Sequence, residues 1–354
     1  MKRTKAAPSR PRTDRSPTLR ELASKLGLSP ATVSLVLNGE TSIGIAADTQ
    51  ELVRAKAREM GYRPNFLARS LRTRRSYSVG VMIPGVREGY NVLILQGIED
   101  YLAQKGYFYY VASHYLKPEL VEEYARGFTD RAADGLILVS APWQLHLSIP
   151  VATISSYHQV KGSTSVLLDH GLAAELALRH LMELGHRRVA FIKGTPNVPD
   201  SEVRWRAITD AAEKLGLAIR PKLVEPIVVP TRTPQIGYDV TKKLLRSGER
   251  FTALFAFNDV SAIGAIHALQ DEGLKVPADV SVIGFDDIES AGYMGPGLTT
   301  VRQPLEEMGR AAAESVLQRI GKPAEEWAGA LERIIVEPEL VVRETTAPAR
   351  EKAR

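Results

Sequence analysis

The sequence predicts an α/β body of two Rossmann-like lobes behind a small all-α head with a helix-turn-helix pattern. Three observations carry this reading. Charge is lopsided: residues 1–75 hold 16 Lys/Arg against 6 Asp/Glu, whereas the rest holds 30 against 35. Apolar periodicity is helical in short pieces across residues 17–63. From Ser78 onward, apolar runs of strand length alternate with amphipathic segments. At 354 residues the chain exceeds one ordinary domain and can bury a large core.

Residues 1–16 are rich in Pro, Arg, Ser and Lys without apolar periodicity, which predicts a disordered basic tail. The head follows, over 17–63. Thr18 and Glu21 have capping-box spacing. Leu19, Leu22, Ala23 and Leu26 make one apolar stripe, and Gly27 marks a turn. Ser29 is a natural N-cap, and Pro30 suits the first helical position, where a missing N–H is harmless. Val33, Val36 and Leu37 form a second stripe; Leu52, Val53, Ala57 and Met60 form a third. Ala46 stands before the third helix, so Asp48 is expected to cap a shifted start.

The second helix presents Pro30, Ala31, Thr32, Ser34 and Leu35 from its N-terminal turns. In a helix-turn-helix that end enters the major groove. Small polar and apolar side chains there reach base edges and thymine methyls. An ordinary helical hairpin has the same spacing; the basic linker over 64–76 favours the DNA-reading alternative.

The body is expected over 77–343. Its strands are SVGVMIP, YFYYVAS, ADGLILVS, PVATIS, RRVAFIKG, ALFAFN and VSVIGFDD. Helices are expected over 92–104, 118–131, 170–184, 203–215, 235–247, 260–272 and 305–320. Strands apolar on both faces imply parallel sheets covered by helices. So many units need two lobes, with crossovers near 155–168 and 287–303. The end of the chain, 344–354, reads as a loose tail. It also lacks the heptads of a tetramerising helix.

Several function classes are excluded. There is no cysteine, hence no disulfide framework or thiolate metal site. No secretory h-region follows the basic N-terminus, and no run approaches the ~18 apolar residues of a membrane span. These features predict a cytoplasmic protein. His158, His170, His180 and His186 lack metal-ligand spacing, and neither a Walker A sequence nor a GxSxG elbow occurs. Asp286 and Asp287 are adjacent and would point apart in an extended chain, which disfavours a two-carboxylate hydrolase. No catalytic residue, metal or cofactor is expected, and the chain does not read as an enzyme.

The segments LRELASKLGLSPATVSLVLNG and GYRPNFLARSLRTRRSYSVGVMIP resemble the head and hinge of the LacI/GalR family of bacterial transcription repressors. The resemblance continues in family order through ADGLIL, HLMELGHRRVAFIKG, FNDVSAIGAIHAL, VPADVSVIGFDDIE and LTTVRQP. It implies a periplasmic-binding-protein-like body, a homodimer, a pseudo-palindromic operator of double-stranded DNA, and a small-molecule effector between the lobes, most often a sugar or sugar derivative. It places Thr18, Ser29, Pro30, Ala31, Thr32, Ser34 and Asn38 of the head at the DNA. Asn65, Ala68, Arg69 and Arg72 match hinge positions, and Leu71 stands at the leucine wedge that opens the minor groove. Arg72, Arg74 and Arg75 would face phosphates, which orients without reading sequence.

Open parallel sheets bind ligands beyond the carboxyl ends of their strands. On the resemblance, the effector contacts are Tyr90, Asn91, Arg204, Arg232, Asn258 and Asp286. Such side chains supply the paired donors and acceptors a polyhydroxylated ligand needs. Asp259 and Asp287 read instead as helix caps. Several features depart from the family pattern. Leu35 replaces a common Arg, the loop NGETSIGIAAD is longer than usual, and Asn91 replaces an aromatic. Arg232 stands where relatives often carry an aromatic, which would favour an acidic or phosphorylated effector unless it faces water. Two other classes compete: a solute-binding protein of the periplasmic type, which should carry a secretory leader and no head, and a sugar-processing enzyme fused to a DNA-binding head, which needs a catalytic constellation. Leu71→Ala should weaken operator binding in a titrated gel shift while leaving effector affinity intact; equal loss of both would contradict the wedge.

Overall fold

The computed structural model describes residues 17–37, 44–62, 70, 73, 75–86, 89–141, 147–157, 161–196, 198–228, 233–329 and 331–350. The chain divides into two compact units, Met1–Ser76 and Tyr77–Arg354.

The first unit contains helices α1 (Leu19–Leu26), α2 (Pro30–Leu37) and α3 (Ala47–Glu59). Both arms of the capping box form at Thr18: the Glu21 amide donates to its hydroxyl at 3.2 Å, and the Thr18 amide donates to the Glu21 carboxylate at 2.6 Å. Helix α1 stops at Gly27, whose φ of +63° lies in the left-handed region that glycine tolerates. The Ser29 hydroxyl then accepts from the Thr32 amide at 3.0 Å and opens α2. Leu22, Ala23, Val33, Val36, Val53 and Ala57 close into one small core.

Two details differ from expectation. Leu52 is 55% exposed, because Val53 and Ala57 carry the inward face of α3 and the neighbouring position is rotated about 100° away. Helix α3 starts after Ala46 without a side-chain cap; Asp48 lies inside its first turn, where a carboxylate favours the helix dipole without capping.

The second unit holds two six-stranded sheets. The first orders its strands β11-β5-β4-β3-β1-β2, all parallel. They are β1 (Ser78–Ile83), β2 (Phe108–Ser113), β3 (Gly135–Val139), β4 (Val151–Ile154), β5 (Ser163–Leu168) and β11 (Glu332–Val336). The second orders its strands β12-β10-β9-β8-β6-β7, parallel except where β12 meets β10. These are β6 (Val189–Lys193), β7 (Val224–Pro226), β8 (Ala253–Phe255), β9 (Ser281–Asp286), β10 (Thr299–Arg302) and β12 (Glu339–Val341). The covering helices are α4 (Tyr90–Gln104), α5 (Pro118–Asp130), α6 (His170–Glu183), α7 (Ser201–Leu215), α8 (Pro234–Arg246), α9 (Asp259–Asp271), α10 (Glu289–Tyr293) and α11 (Leu305–Arg319). Strands β1, β3, β4, β5 and β9 are buried along their whole length, as two-sided helix cover requires.

The crossovers are a correction. Residues 163–168 are not a connection but strand β5, and 299–302 are strand β10. The chain passes between lobes three times: from β5 into α6, which packs on α7 of the second lobe; from β10 into α11, which packs back on α4 and β4; and from β11 into β12. Strands β5 and β10 mix Ser and Thr with apolar residues, and this weakens their apolar signal. Helix α11 returns tightly, because a Cβ at Gly97 or Gly309 would collide with the backbone of Glu306 or Ile94.

The stretch from 344 is also not loose as far as it is described. The buried Thr345 hydroxyl donates to the Val282 carbonyl at 2.7 Å and accepts from the Thr299 amide at 2.8 Å. Further along, His186 holds the Ala347 carbonyl at 3.0 Å, and the Ala349 amide donates to the Leu184 carbonyl at 2.7 Å. Its polar composition suits hydrogen bonding to sheet ends as well as it suits solvent. Thr345→Val leaves the Thr299 amide unpaired in the interior, and should lower stability by about 1–3 kcal/mol in urea unfolding.

Candidate functional site

In the head, Val33 and Val36 turn inward, whereas Pro30 and Ala31 are exposed and Thr32, Ser34 and Leu35 half-buried. The α2 residues that the resemblance places at DNA thus lie outside the small core of the head. The Ser29 and Thr32 hydroxyls bond to one another at 2.9 Å, and Thr18 is engaged in its capping box. Asn38, Asn65, Ala68, Arg69, Leu71, Arg72 and Arg232 lie outside the described residues.

In the body, the ends of β4, β6, β8, β9 and β10 and the start of α4 bring a polar cluster together. Arg204, on the first turn of α7, is its centre. Its side chain is buried and ion-paired with the equally buried Asp200 at 2.7 Å. A second guanidinium N–H donates to the Phe257 carbonyl at 2.6 Å. The rings of Phe257 and Phe285 lie against the guanidinium, at 4.6 Å and 3.8 Å from their centroids. Arg204 thus touches the residues that precede Asn258 and Asp286.

Asp286 ends β9 with φ of +120°, a backbone conformation that L side chains rarely adopt. Its carboxylate accepts from the Gln303 amide nitrogen at 2.6 Å. Asn258 caps α9: its side-chain oxygen accepts from the Ser261 amide at 2.9 Å, and its backbone N–H donates to the Ser261 hydroxyl at 3.1 Å. On the first lobe, the Tyr90 hydroxyl bonds to Ser155 at 2.5 Å, and Ser155 too has a positive φ, +52°. Asn91 is buried and donates to the Gly85 carbonyl at 2.9 Å. Strained backbone gathered at strand ends is where ligand clamps are commonly found.

What the sequence did not reveal is the company these residues keep. Tyr157, His170, Asp200, Ser201 and Gln303 join the cluster. Among the described residues, the buried Asn91 Oδ1, Tyr157 hydroxyl, His170 Nδ1, Ser201 Oγ, Arg204 Nε and Gln303 Oε1 have no hydrogen-bond partner. Each such atom costs about 1–3 kcal/mol when left dry. A cluster of them at strand ends is a site awaiting a polar ligand or water. No local signal marked them; only their positions after strands were readable.

The environment sets protonation. Burial, and then the Arg204 charge, push the His170 imidazole down to about 4, so it is neutral near pH 7. Burial, with Asp200 next, raises the Tyr157 phenol, which stays protonated. The two rings are in tilted contact at 5.8 Å.

Asp259 and Asp287 are not caps. Buried Asp259 accepts from Thr300 at 2.5 Å and from the Ile288 amide at 2.9 Å, tying α9 to β10 and to the loop before α10. Asp287 pairs with Arg302 at 2.8 Å and Arg343 at 2.7 Å. Both sit one residue past the site-facing Asn258 and Asp286, turned the other way.

A helix-turn-helix unit together with a two-lobed body holding such a cluster defines a DNA-binding regulator with an effector-binding domain. Residues 18–65 match bacterial regulatory proteins of the lacI family, and residues 178–346 match the periplasmic binding protein-like domain. The transcriptional repressor PurR of Haemophilus influenzae (strain ATCC 51907 / DSM 11121 / KW20 / Rd) is 31% identical, over 93% of this chain and 98% of its own. The ribose operon repressor of the same organism is 28% identical, over 93% and 98%. Among solved structures, a cellobiose complex of the regulator CelR is 28% identical with a TM-score of 0.65, covering 93% of this chain and 99% of that one. A lac repressor dimer on its operator shares the fold at a TM-score of 0.79 and 24% identity, covering 94% and 100%. The chain belongs to the lacI family of bacterial regulatory proteins.

Because His170 is neutral in the fold but titrates near 6.5 when unfolded, its contribution to stability is complete above 6.5 and is lost as pH falls toward 4. The loss is about 3 kcal/mol. Asp259, raised to about 6 by burial, has the opposite sign and loses its contribution as pH rises through that value. Comparing His170→Gln with the parent removes the Asp259 effect: the parent should lose stability relative to the variant between pH 6.5 and 4 in urea unfolding. Parallel profiles would contradict a buried neutral His170.

Proposed function

We propose that this protein is a repressor whose grip on a pseudo-palindromic operator is set by a small molecule, a sugar or sugar derivative, held between the lobes of each protomer of a homodimer. The observation that carries the effector site is the group of partnerless buried polar atoms around Arg204, Asn258 and Asp286. The relatives support the rest. They are named as the transcriptional repressor PurR and a ribose operon repressor, and structures similar to this chain hold cellobiose or ribose. The functional units are the head over 17–63, the hinge over 64–76 and the body from 77. The protein works in the cytoplasm on the nucleoid, without catalysing a reaction; no described helix is long and apolar enough to cross a membrane.

Dimerisation has a surface argument. Strand β2 is a sheet edge, and Phe108 on it is 73% exposed, with Tyr110 and Val111 also exposed beside it. Exposed apolar side chains on an unpaired edge favour burial against a second chain. Ligand binding that differs between lobe arrangements would shift the spacing of two paired heads, a coupling typically of about 1–3 kcal/mol.

The test is a gel shift on the DNA upstream of the chain's own gene. A saturable complex should form and weaken steeply as salt rises, since Lys and Arg contacts release counterions. The effector should change its affinity, and Asp286→Ala should abolish that response, with thermal unfolding as the check on folding. A complex insensitive to salt, or an unchanged dose response in the variant, would contradict the reading.

A further inference from the structure

We infer that the effector is an uncharged, hydroxyl-rich molecule rather than a phosphorylated sugar, and that Tyr157 and His170 are among the residues that read it. This rests on the cleft being the effector site.

The charge on the described residues points one way. Among the described residues Arg204 is the cation of the cluster, and both terminal nitrogens of its fork are engaged. One N–H group reaches Asp200 at 2.7 Å and another the Phe257 carbonyl at 2.6 Å. Its faces are covered by Phe257 and Phe285, and Nε is its one nitrogen without a hydrogen-bond partner. The buried pair with Asp200 already offsets the guanidinium charge that a phosphate would need. A phosphate would instead approach the carboxylates of Asp200 and Asp286.

The hydrogen-bond inventory points the same way. Asn91 Oδ1 and Gln303 Oε1 accept only, Arg204 Nε donates only, and the Tyr157 and Ser201 hydroxyls do either. His170 Nδ1 takes the role its tautomer dictates. A hydroxyl group both donates and accepts, so a polyol matches a mixed set. An ammonium only donates and would leave Arg204 Nε unmatched.

Tyr157 and His170 add a mechanical consequence. Tyr157 follows β4 in the first lobe, and His170 opens α6, the helix that carries the chain into the second. Their rings touch at 5.8 Å, and each keeps a partnerless polar atom. A ligand hydroxyl group bonded to this pair is held at a crossover between lobes.

Isothermal titration of the full-length protein tests this with ribose, xylose, glucose, galactose and cellobiose, then ribose 5-phosphate, glucose 6-phosphate, glucosamine and hypoxanthine. At least one uncharged sugar should bind, its phosphorylated counterpart at least roughly 100-fold more weakly. Tyr157→Phe should weaken the sugar about tenfold. Asp200→Asn should release the Arg204 charge and move the sugar-to-phosphate preference about tenfold toward phosphate; if that variant does not fold, Tyr157→Phe decides. Tighter binding of a phosphate, an amine or the base, or binding of none of the uncharged members, would overturn this inference and leave the cleft reading standing. An unchanged affinity for the bound sugar in Arg204→Ala would overturn the cleft reading itself.

Discussion

The buried pair between Arg204 and Asp200 is the constraint on which the rest of the cleft depends. An ion pair removed from water is not by itself a source of stability, because desolvation offsets most of the attraction. What it supplies is position. The guanidinium joins the N-terminal turn of α7 to the end of β8 through the Phe257 carbonyl, and lies on Phe285 at the end of β9. Two strand ends and a helix start are thereby held around one planar group. Leaving Asp200 without this partner would strand a carboxylate in the interior, at a cost of about 3–5 kcal/mol.

The second constraint is the path of the chain. It changes lobe three times, so the lobes share connections instead of a single linker. The crossovers pass close to the cleft: β10 ends beside Gln303, and α6 begins at His170. Around them lies a rim of ties, with Asp287 joined to Arg302 and Arg343, and Asp259 joining β10 to the loop before α10. A ligand that satisfies atoms on both lobes acts on these connections directly. That is how binding energy of a few kcal/mol can be converted into a change of lobe arrangement.

Much of this was readable in advance, and the reasons are specific. The capping box at Thr18, the left-handed Gly27 and the Ser29-Pro30 start are local chemistry, and each forms as its spacing predicts. Among the described residues, the seven long helices of the body were found to within a few residues, whereas the short α10 lies in a stretch read as a crossover. Strands β5, β7, β10, β11 and β12 were missed; in β5 and β10 buried Ser and Thr look like connection residues in one dimension, and β7 and β12 are three residues long. The chain beyond 344 was misread for a related cause: Thr345 has a polar side chain whose partners, Thr299 and Val282, lie far away in sequence.

The sequence by itself determined the class of protein, the head, the helical and most of the strand segments, and the positions of Arg204, Asn258 and Asp286 after strands. These follow from short-range spacing and from residue chemistry carried along the chain. Only the tertiary structure decided that Asp200 neutralises Arg204, that Asn258 gives its carbonyl to a cap, that Asp259 and Asp287 face away from the cleft, and that Tyr157 meets His170. Each of these depends on which strand ends adjoin, and adjacency between segments many residues apart is set by sheet order, which no local pattern encodes.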